Sequence, residues 1–274
     1  MDPVALYLGP LTIRWYGVFF AIGFVAGYWV LLARARKSTV GETHAGNLAL
    51  TAMLAGVAGA RLLYVTTHWS QFQGQPWLEM LRIDHGGLVF YGGFIAATLS
   101  MLLYARRNRL PLGNIADLAV PALPLAHAFG RIGCFLNGCC FGKVSDSVLA
   151  WTYPATSDVR AIQIAKGLLP PDAVACLPVL PVQLFESGFN LLLCGGLLLL
   201  EKRLPRYGQL AAVYLSVYAC GRFILEGLRG DYPAGGMLTP GQNTAILLLP
   251  AGLILFFVLG KFGARRKPMR EANR

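Results

Sequence analysis

Charge is scarce in this chain. Only 14% of its 274 residues are charged, 55% are hydrophobic and the mean hydropathy is +0.54. Soluble globular domains carry about 25% charged residues, so the deficit excludes an ordinary soluble fold. Acid is scarcer than base: 13 Asp and Glu stand against 24 Lys and Arg, for a formal net charge of +11. That excess is not a nucleic-acid footprint, because most of it falls in clusters beside apolar stretches, where it favours anionic lipid headgroups. Nucleic acid is therefore not an expected partner. Internal repeats, low-complexity tracts and heptad patterns are missing too, which removes solenoids and coiled coils. Zinc-type cysteine spacing is also lacking. Of six cysteines, Cys139 and Cys140 are adjacent, and no second pair follows to complete a tetrahedron. No metal or cofactor is expected, and the thiols read as buried and inert. A disulfide to Cys176 fits an oxidising compartment, with the pairing left open.

What is present is a series of long apolar runs, at 13–33, 46–67, 88–105, 114–135, 182–200, 209–228 and 240–260. Each is long enough to cross a hydrocarbon core, which takes about 20 helical residues. The expected fold is an all-α integral membrane protein of about seven transmembrane helices, with residues 1–274 forming one polytopic domain. Basic clusters set its orientation. Arg34, Arg36 and Lys37 follow the first run; Arg106, Arg107 and Arg109 the third; Lys202, Arg203 and Arg206 the fifth; and Lys261, Arg265, Arg266, Lys267, Arg270 and Arg274 the last. All fall on one side, which places the amino terminus outside, the carboxyl terminus in the cytoplasm and the segments 68–87 and 143–181 outside. The first run has no basic region before it and no cleavage-like sequence after it, so it is expected to be retained. Gly56, Gly59 and Ala60 predict close packing of the second helix, since small residues let backbones approach in a membrane.

Three arginines remain inside or at the rim of predicted spans once the clusters are set aside: Arg61, Arg131 and Arg222. Each costs roughly 2.5–3.5 kcal/mol at mid-bilayer on insertion scales, so their presence points to a shared polar cavity. Snorkelling to an interface is the competing explanation, strongest for Arg61. At about 100° per residue, Tyr218, Arg222, Glu226 and Arg229 share an arc of roughly 80°. Two guanidiniums and one carboxylate on that face leave surplus positive charge suited to a phosphate. Around Arg131, the glycines Gly130, Gly133, Gly138 and Gly142 offer exposed backbone N–H groups for an anion-binding nest, or simply close helix packing. Tyr91 follows Gly86 and Gly87 and either hydrogen-bonds a reacting group or belongs to the interfacial aromatic belt. His85 reads as a solvated loop residue.

The run Gly130-Arg131-Ile132-Gly133-Cys134-Phe135-Leu136-Asn137-Gly138-Cys139-Cys140-Phe141-Gly142 resembles the signature of the prolipoprotein diacylglyceryl transferase family. Arg14-Trp15-Tyr16-Gly17, Gly59-Ala60-Arg61-Leu62-Leu63-Tyr64, Gly86 to Gly93, Pro181 to Glu186 and Tyr218 to Arg229 resemble its other motifs in the same order, over nearly the whole chain. The resemblance implies seven helices and transfer of the diacylglyceryl group of phosphatidylglycerol onto the lipobox cysteine of a preprolipoprotein, with release of glycerol phosphate. It implies a multi-pass protein of the bacterial inner membrane, its site towards the outer leaflet and residues 143–181 in the periplasm. By position it assigns Arg131, Arg222, Tyr91 and Glu226 to catalysis, and Tyr16, Arg61, Asn137, Gly142, Tyr218 and Arg229 to substrate binding. Arg131 and Arg222 would hold the phosphate while Glu226 orients Arg222. Tyr91, Cys134, Cys139 and Leu180 stand where many members have His, Asn, Glu and His, which leaves the thiol base unidentified. An intramembrane lipid or anion transporter, or a lipid-binding paralogue without turnover, are the alternative functions.

Overall fold

A computed structural model describes residues 4–8, 11–82, 86–232 and 238–266. The order is β1 (Val4–Leu8), β2 (Leu11–Arg14), α1 (Trp15–Ala35), α2 (Gly41–Thr67), α3 (Trp69–Phe72), a 3-10 turn at Trp77–Leu81, α4 (Phe90–Arg107), α5 (Leu112–Ala119), α6 (Ala122–Asn137), α7 (Asp158–Ala165), α8 (Val182–Leu200), α9 (Gln209–Gly227) and α10 (Pro240–Phe262). The chain is mostly helical, as expected, but opens on an antiparallel β1–β2 hairpin that the all-α reading omits. Among the described residues, six stretches are long and apolar enough to span a membrane: Trp15–Ala35, Gly41–Thr67, Leu112–Asn137, Val182–Arg203, Gln209–Gly227 and Pro240–Phe262. Helix α4 corresponds to the third expected run, 88–105, but is not among them, because Gly92, Gly93 and the terminal Arg106 and Arg107 dilute its 18 residues. The fourth run is two helices, broken ahead of Ala122 by Pro121, which has no N–H to continue the ladder.

The chain divides into two compact units, residues 31–118 and residues 1–30 with 119–267. In the first, α2 and α4 cross on glycine. A Cβ added at Gly59 would lie 2.6 Å from the Gly92 carbonyl oxygen, so that position accepts no side chain at this separation, and one at Gly93 would lie a tight 3.0 Å from the Gly56 oxygen. The close approach predicted from Gly56 and Gly59 is therefore met, with α4 as the partner. Arg34 Nη1 donates to the Asp117 and Leu118 carbonyls at 3.0 and 2.6 Å, the last-turn oxygens a helix cannot satisfy itself. Ala35, Val40, Ala45, Leu48, Ala105, Ile115 and Leu118 close the core beneath.

The second unit is built on α6, α8, α9 and α10. Gly23 of α1 meets Ala126 of α6 so closely that a Cβ there would stand 2.7 Å from the Ala126 oxygen. Helix α10 starts on a capping box, with Thr239 Oγ1 accepting from Gln242 N and Gln242 Oε1 accepting from Thr239 N, and with Pro240 where its missing N–H is harmless. The segment 143–181, expected only to lie along an interface, has its own core. Val179 bridges to both Val144 and Trp151, and Tyr153, Val159 and Cys176 pack with Phe135 and Phe141.

Candidate active site

Helix α9 carries Tyr218, Arg222 and Glu226 at four-residue steps, so the three share a face, and Arg229 follows just past its end. Arg222 Nη2 lies 2.7 Å from Glu226 Oε2. Its Nη1 donates to Glu186 Oε1 of α8 at 3.0 Å. The other oxygen of Glu186 takes Arg131 of α6, with Nε to Oε2 at 2.9 Å. One carboxylate thus holds two guanidiniums, one on each oxygen. His127, one turn before Arg131, places Nε2 3.2 Å from Arg131 Nε and 3.3 Å from Glu186 Oε1. That nitrogen donates to the carboxylate when protonated and accepts from the guanidinium when bare.

Arg229 is held bidentately by Asp231, at 2.9 and 2.6 Å, and lies 4.7 Å over the Tyr232 ring. Its Nη1 reaches Glu226 Oε2 at 3.7 Å. Thr239 Oγ1 donates to Glu226 Oε1 at 3.2 Å, and Gly241 leaves the room that carboxylate occupies. Arg131, Arg222 and Arg229 are therefore matched by Glu186, Glu226 and Asp231. The surplus positive charge inferred from the α9 face alone is offset from α8 and from the chain after α9. This pairing is what makes burial tolerable, since an unpaired ion in such a site costs several kcal/mol.

Donors remain nonetheless. Arg131 has a side chain only 10% exposed and spends its Nε on Glu186 and His127, and both of its Nη nitrogens lack an acceptor among the described residues. Charged N–H groups that no protein acceptor takes up are what an anion site requires.

The chain after α6 turns sharply to lie beside this network. Gly138 at φ 73° accepts the left-handed conformation freely, whereas Cys140 at φ 59° does so against a steric cost of about 1–2 kcal/mol. Gly142 then bridges to Arg229, donates its N–H to Leu180 O at 2.9 Å, and has no space for a Cβ. The turn brings Cys134, Cys139 and Cys140 together, their sulfur atoms all within 4.8 Å of one another. Contacts from the Cys134 and Cys139 thiols, with the fields of Arg229 and Arg131, hold the Cys140 thiol below its ordinary pKa. Asn137 lines a pocket of about 230 Å³ with Arg14, Tyr153 and Asp158. Tyr16 opens α1 against Gly133, whose added Cβ would stand 3.1 Å from the Tyr16 Cα.

Arg61 and Tyr91 belong to the 31–118 unit. Arg61 Nε donates to Met80 O at 2.8 Å, Nη1 to Gly86 O and Gly87 O at 2.8 and 3.1 Å, and Nη2 to Glu79 O at 2.7 Å. It ties down the approach to α4, on whose first turn Tyr91 stands 62% exposed. His85 lies outside the described residues. Glu186, His127 and Asp231 are the network members that site assignment from sequence left out. Glu186 and His127 each announce themselves as an ionisable residue in an apolar helix, the same signal that singled out Arg222.

A helical chain with several membrane-spanning stretches and a paired arginine–carboxylate network among them is, by class, a multi-pass membrane protein. The family model described as prolipoprotein diacylglyceryl transferase matches residues 3–258. The chain belongs to that family and is a transferase. The phosphatidylglycerol–prolipoprotein diacylglyceryl transferase of Synechococcus elongatus is 33% identical over 260 residues, covering 92% of this chain and 85% of the relative. That of Clostridium tetani is 31% identical, covering 93% and 97%. A Clostridium perfringens protein named as the second such transferase is 32% identical, covering 90% and 91%.

Proposed function

We propose that this chain moves the diacylglyceryl group of phosphatidylglycerol onto the lipobox cysteine of a preprolipoprotein. The peptide sulfur attacks the glyceryl carbon attached to the phosphate oxygen, a thioether C–S bond forms, the C–O bond breaks, and glycerol phosphate leaves with the bonding electrons. The observation that supports this reading most is the pair of arginines shared by Glu186. Arg131 and Arg222 are set on opposite oxygens of one carboxylate, and Arg131 keeps its Nη donors unspent for a phosphate. Such donors stabilise the charge that grows on the leaving group and need no reorganisation when it appears.

In this reading, Glu226 fixes Arg222, and Arg229, Gly142, Asn137, Tyr218 and Tyr16 shape the headgroup end. Arg61 acts through the loop it holds, and Tyr91 hydrogen-bonds a reacting group. His127, already beside Arg131 and Glu186, takes up the proton of the thiol in this reading. The chain is a seven-span inner-membrane protein with α4 as the third span, the amino terminus outside and the carboxyl terminus cytoplasmic. Its site faces the outer leaflet, and 143–181 is a periplasmic part of one membrane domain.

The test is mass spectrometry of a synthetic lipobox peptide incubated with purified protein and phosphatidylglycerol. A diacylglyceryl mass gain on the cysteine supports the assignment. No gain, together with phosphatidylglycerol counterflow in liposomes lacking peptide, replaces it with transport.

A further inference from the structure

Neither the phosphate site nor the thiol transfer has a use for three cysteines in one turn. Cys134 is in the last turn of α6, and Cys139 and Cys140 follow it through the left-handed residues Gly138 and Cys140. The backbone is fixed in that shape: Cys139 N donates to Cys134 O at 3.2 Å, Gly138 N to Phe135 O at 3.2 Å, and buried Gln183 sends Nε2 to Cys139 O at 2.6 Å. A non-glycine residue held at positive φ marks a conformation imposed by something other than local preference. Here it places a third sulfur beside two others.

The dimensions suit one ion. A metal–thiolate bond of about 2.3 Å sets three sulfurs about 4 Å apart around a trigonal centre. The three Sγ atoms all lie within 4.8 Å of one another, so small side-chain adjustments close the site. Cys139 and Cys140 are partly exposed, which leaves a route for delivery. Donor chemistry narrows the choice. Three soft thiolates, with no histidine or carboxylate in the group, suit a thiophilic d10 cation, whereas oxygen-seeking ions such as Mg²⁺ and Ca²⁺ find no ligand here. Three sulfurs with no fourth protein ligand in the cluster match three-coordinate Cu(I) better than a closed tetrahedral zinc site. The complex would carry two negative charges, in a region where Arg131 and Arg229 supply positive field.

We infer that Cys134, Cys139 and Cys140 form a binding site for Cu(I), three-coordinate through sulfur. Cu(I) displaces the three thiol protons to the buffer and no electron transfer is involved. The test of this site does not use the transfer activity.

The experiment is a Cu(I) titration of the purified protein, reduced and kept anaerobic in lipid nanodiscs, against a chromophoric Cu(I) chelator, with thiol counting confirming reduction. The expected result is one Cu(I) per chain, with affinity lowered at least tenfold in each of C134S, C139S and C140S and unchanged in C176S and C194S. Wild-type protein that takes no Cu(I) from the chelator overturns the inference. So does uptake that persists in the three cluster variants, uptake of Zn(II) in place of Cu(I), or a set of thiols that cannot be reduced and takes up no ion.

Discussion

Arg61 in the 31–118 unit and Arg131 in the other are each 8% exposed, yet they spend their N–H groups differently. Arg61 gives its nitrogens to four backbone oxygens, those of Glu79, Met80, Gly86 and Gly87, and so works as a clamp on a loop. Arg131 gives one nitrogen to Glu186 and His127 and keeps the rest. Burial of a guanidinium therefore does not by itself mark a ligand site. What marks it is donor capacity left over after the protein has been satisfied, next to a carboxylate that holds the geometry.

That contrast can be broken most severely at Glu186. Glu186→Leu leaves Arg131 and Arg222 without their shared acceptor, and breaking a buried pair this way costs about 3–5 kcal/mol. Thermal unfolding in detergent should shift strongly downward and transfer should be lost. An unchanged unfolding curve would mean the two arginines do not depend on it. Next in size is Arg131→Lys, which preserves charge but loses the planar fork. Transfer should fall roughly 10²–10³-fold, the range for removing a preorganised donor, with thermal stability nearly unaltered. The same change at the clamp, Arg61→Lys, should do the reverse. An ammonium cannot reach four carbonyls, so stability should drop by about 1–3 kcal/mol and hydrogen exchange at Trp77–Leu81 should rise, with transfer reduced tenfold or less. Smallest is Tyr91→Phe, where loss of one hydrogen bond of about 1 kcal/mol predicts less than a tenfold drop in transfer and no stability change. A drop beyond a hundredfold would make Tyr91, rather than His127, the proton acceptor.

The same contrast shows where sequence reading stops. Long apolar runs place most helices well: the run 182–200 coincides with α8, and 209–228 and 240–260 are within two residues of α9 and α10. The β1–β2 hairpin is absent from that reading because its strands are only five and four residues long and too short to leave a periodic signal beside a 21-residue helix. Helix α7 is missed for the same reason, although Ser157 followed by Asp158 stands where a helix start is expected. Arg131, Arg222, Glu226 and Arg229 are legible because a charge in an apolar helix is costly wherever it sits. Their partners are less so. That Glu186 divides its oxygens between two arginines depends on α6, α8 and α9 packing together, and that Arg61 is saturated depends on where a loop returns. Neither is a property of local sequence. The cysteines show the same limit. Adjacent Cys139 and Cys140 do not read as a ligand set until two left-handed residues bring them back to Cys134.

The central claim is that Arg131 and Arg222 together carry the phosphate of the lipid during transfer. The most direct measurement is the rate of diacylglyceryl addition to a lipobox peptide by the wild type and by the Arg131→Ala/Arg222→Ala double variant, both confirmed as folded and membrane-inserted. Addition by the wild type and none by the double variant is the predicted result. Undiminished addition by the double variant would contradict it.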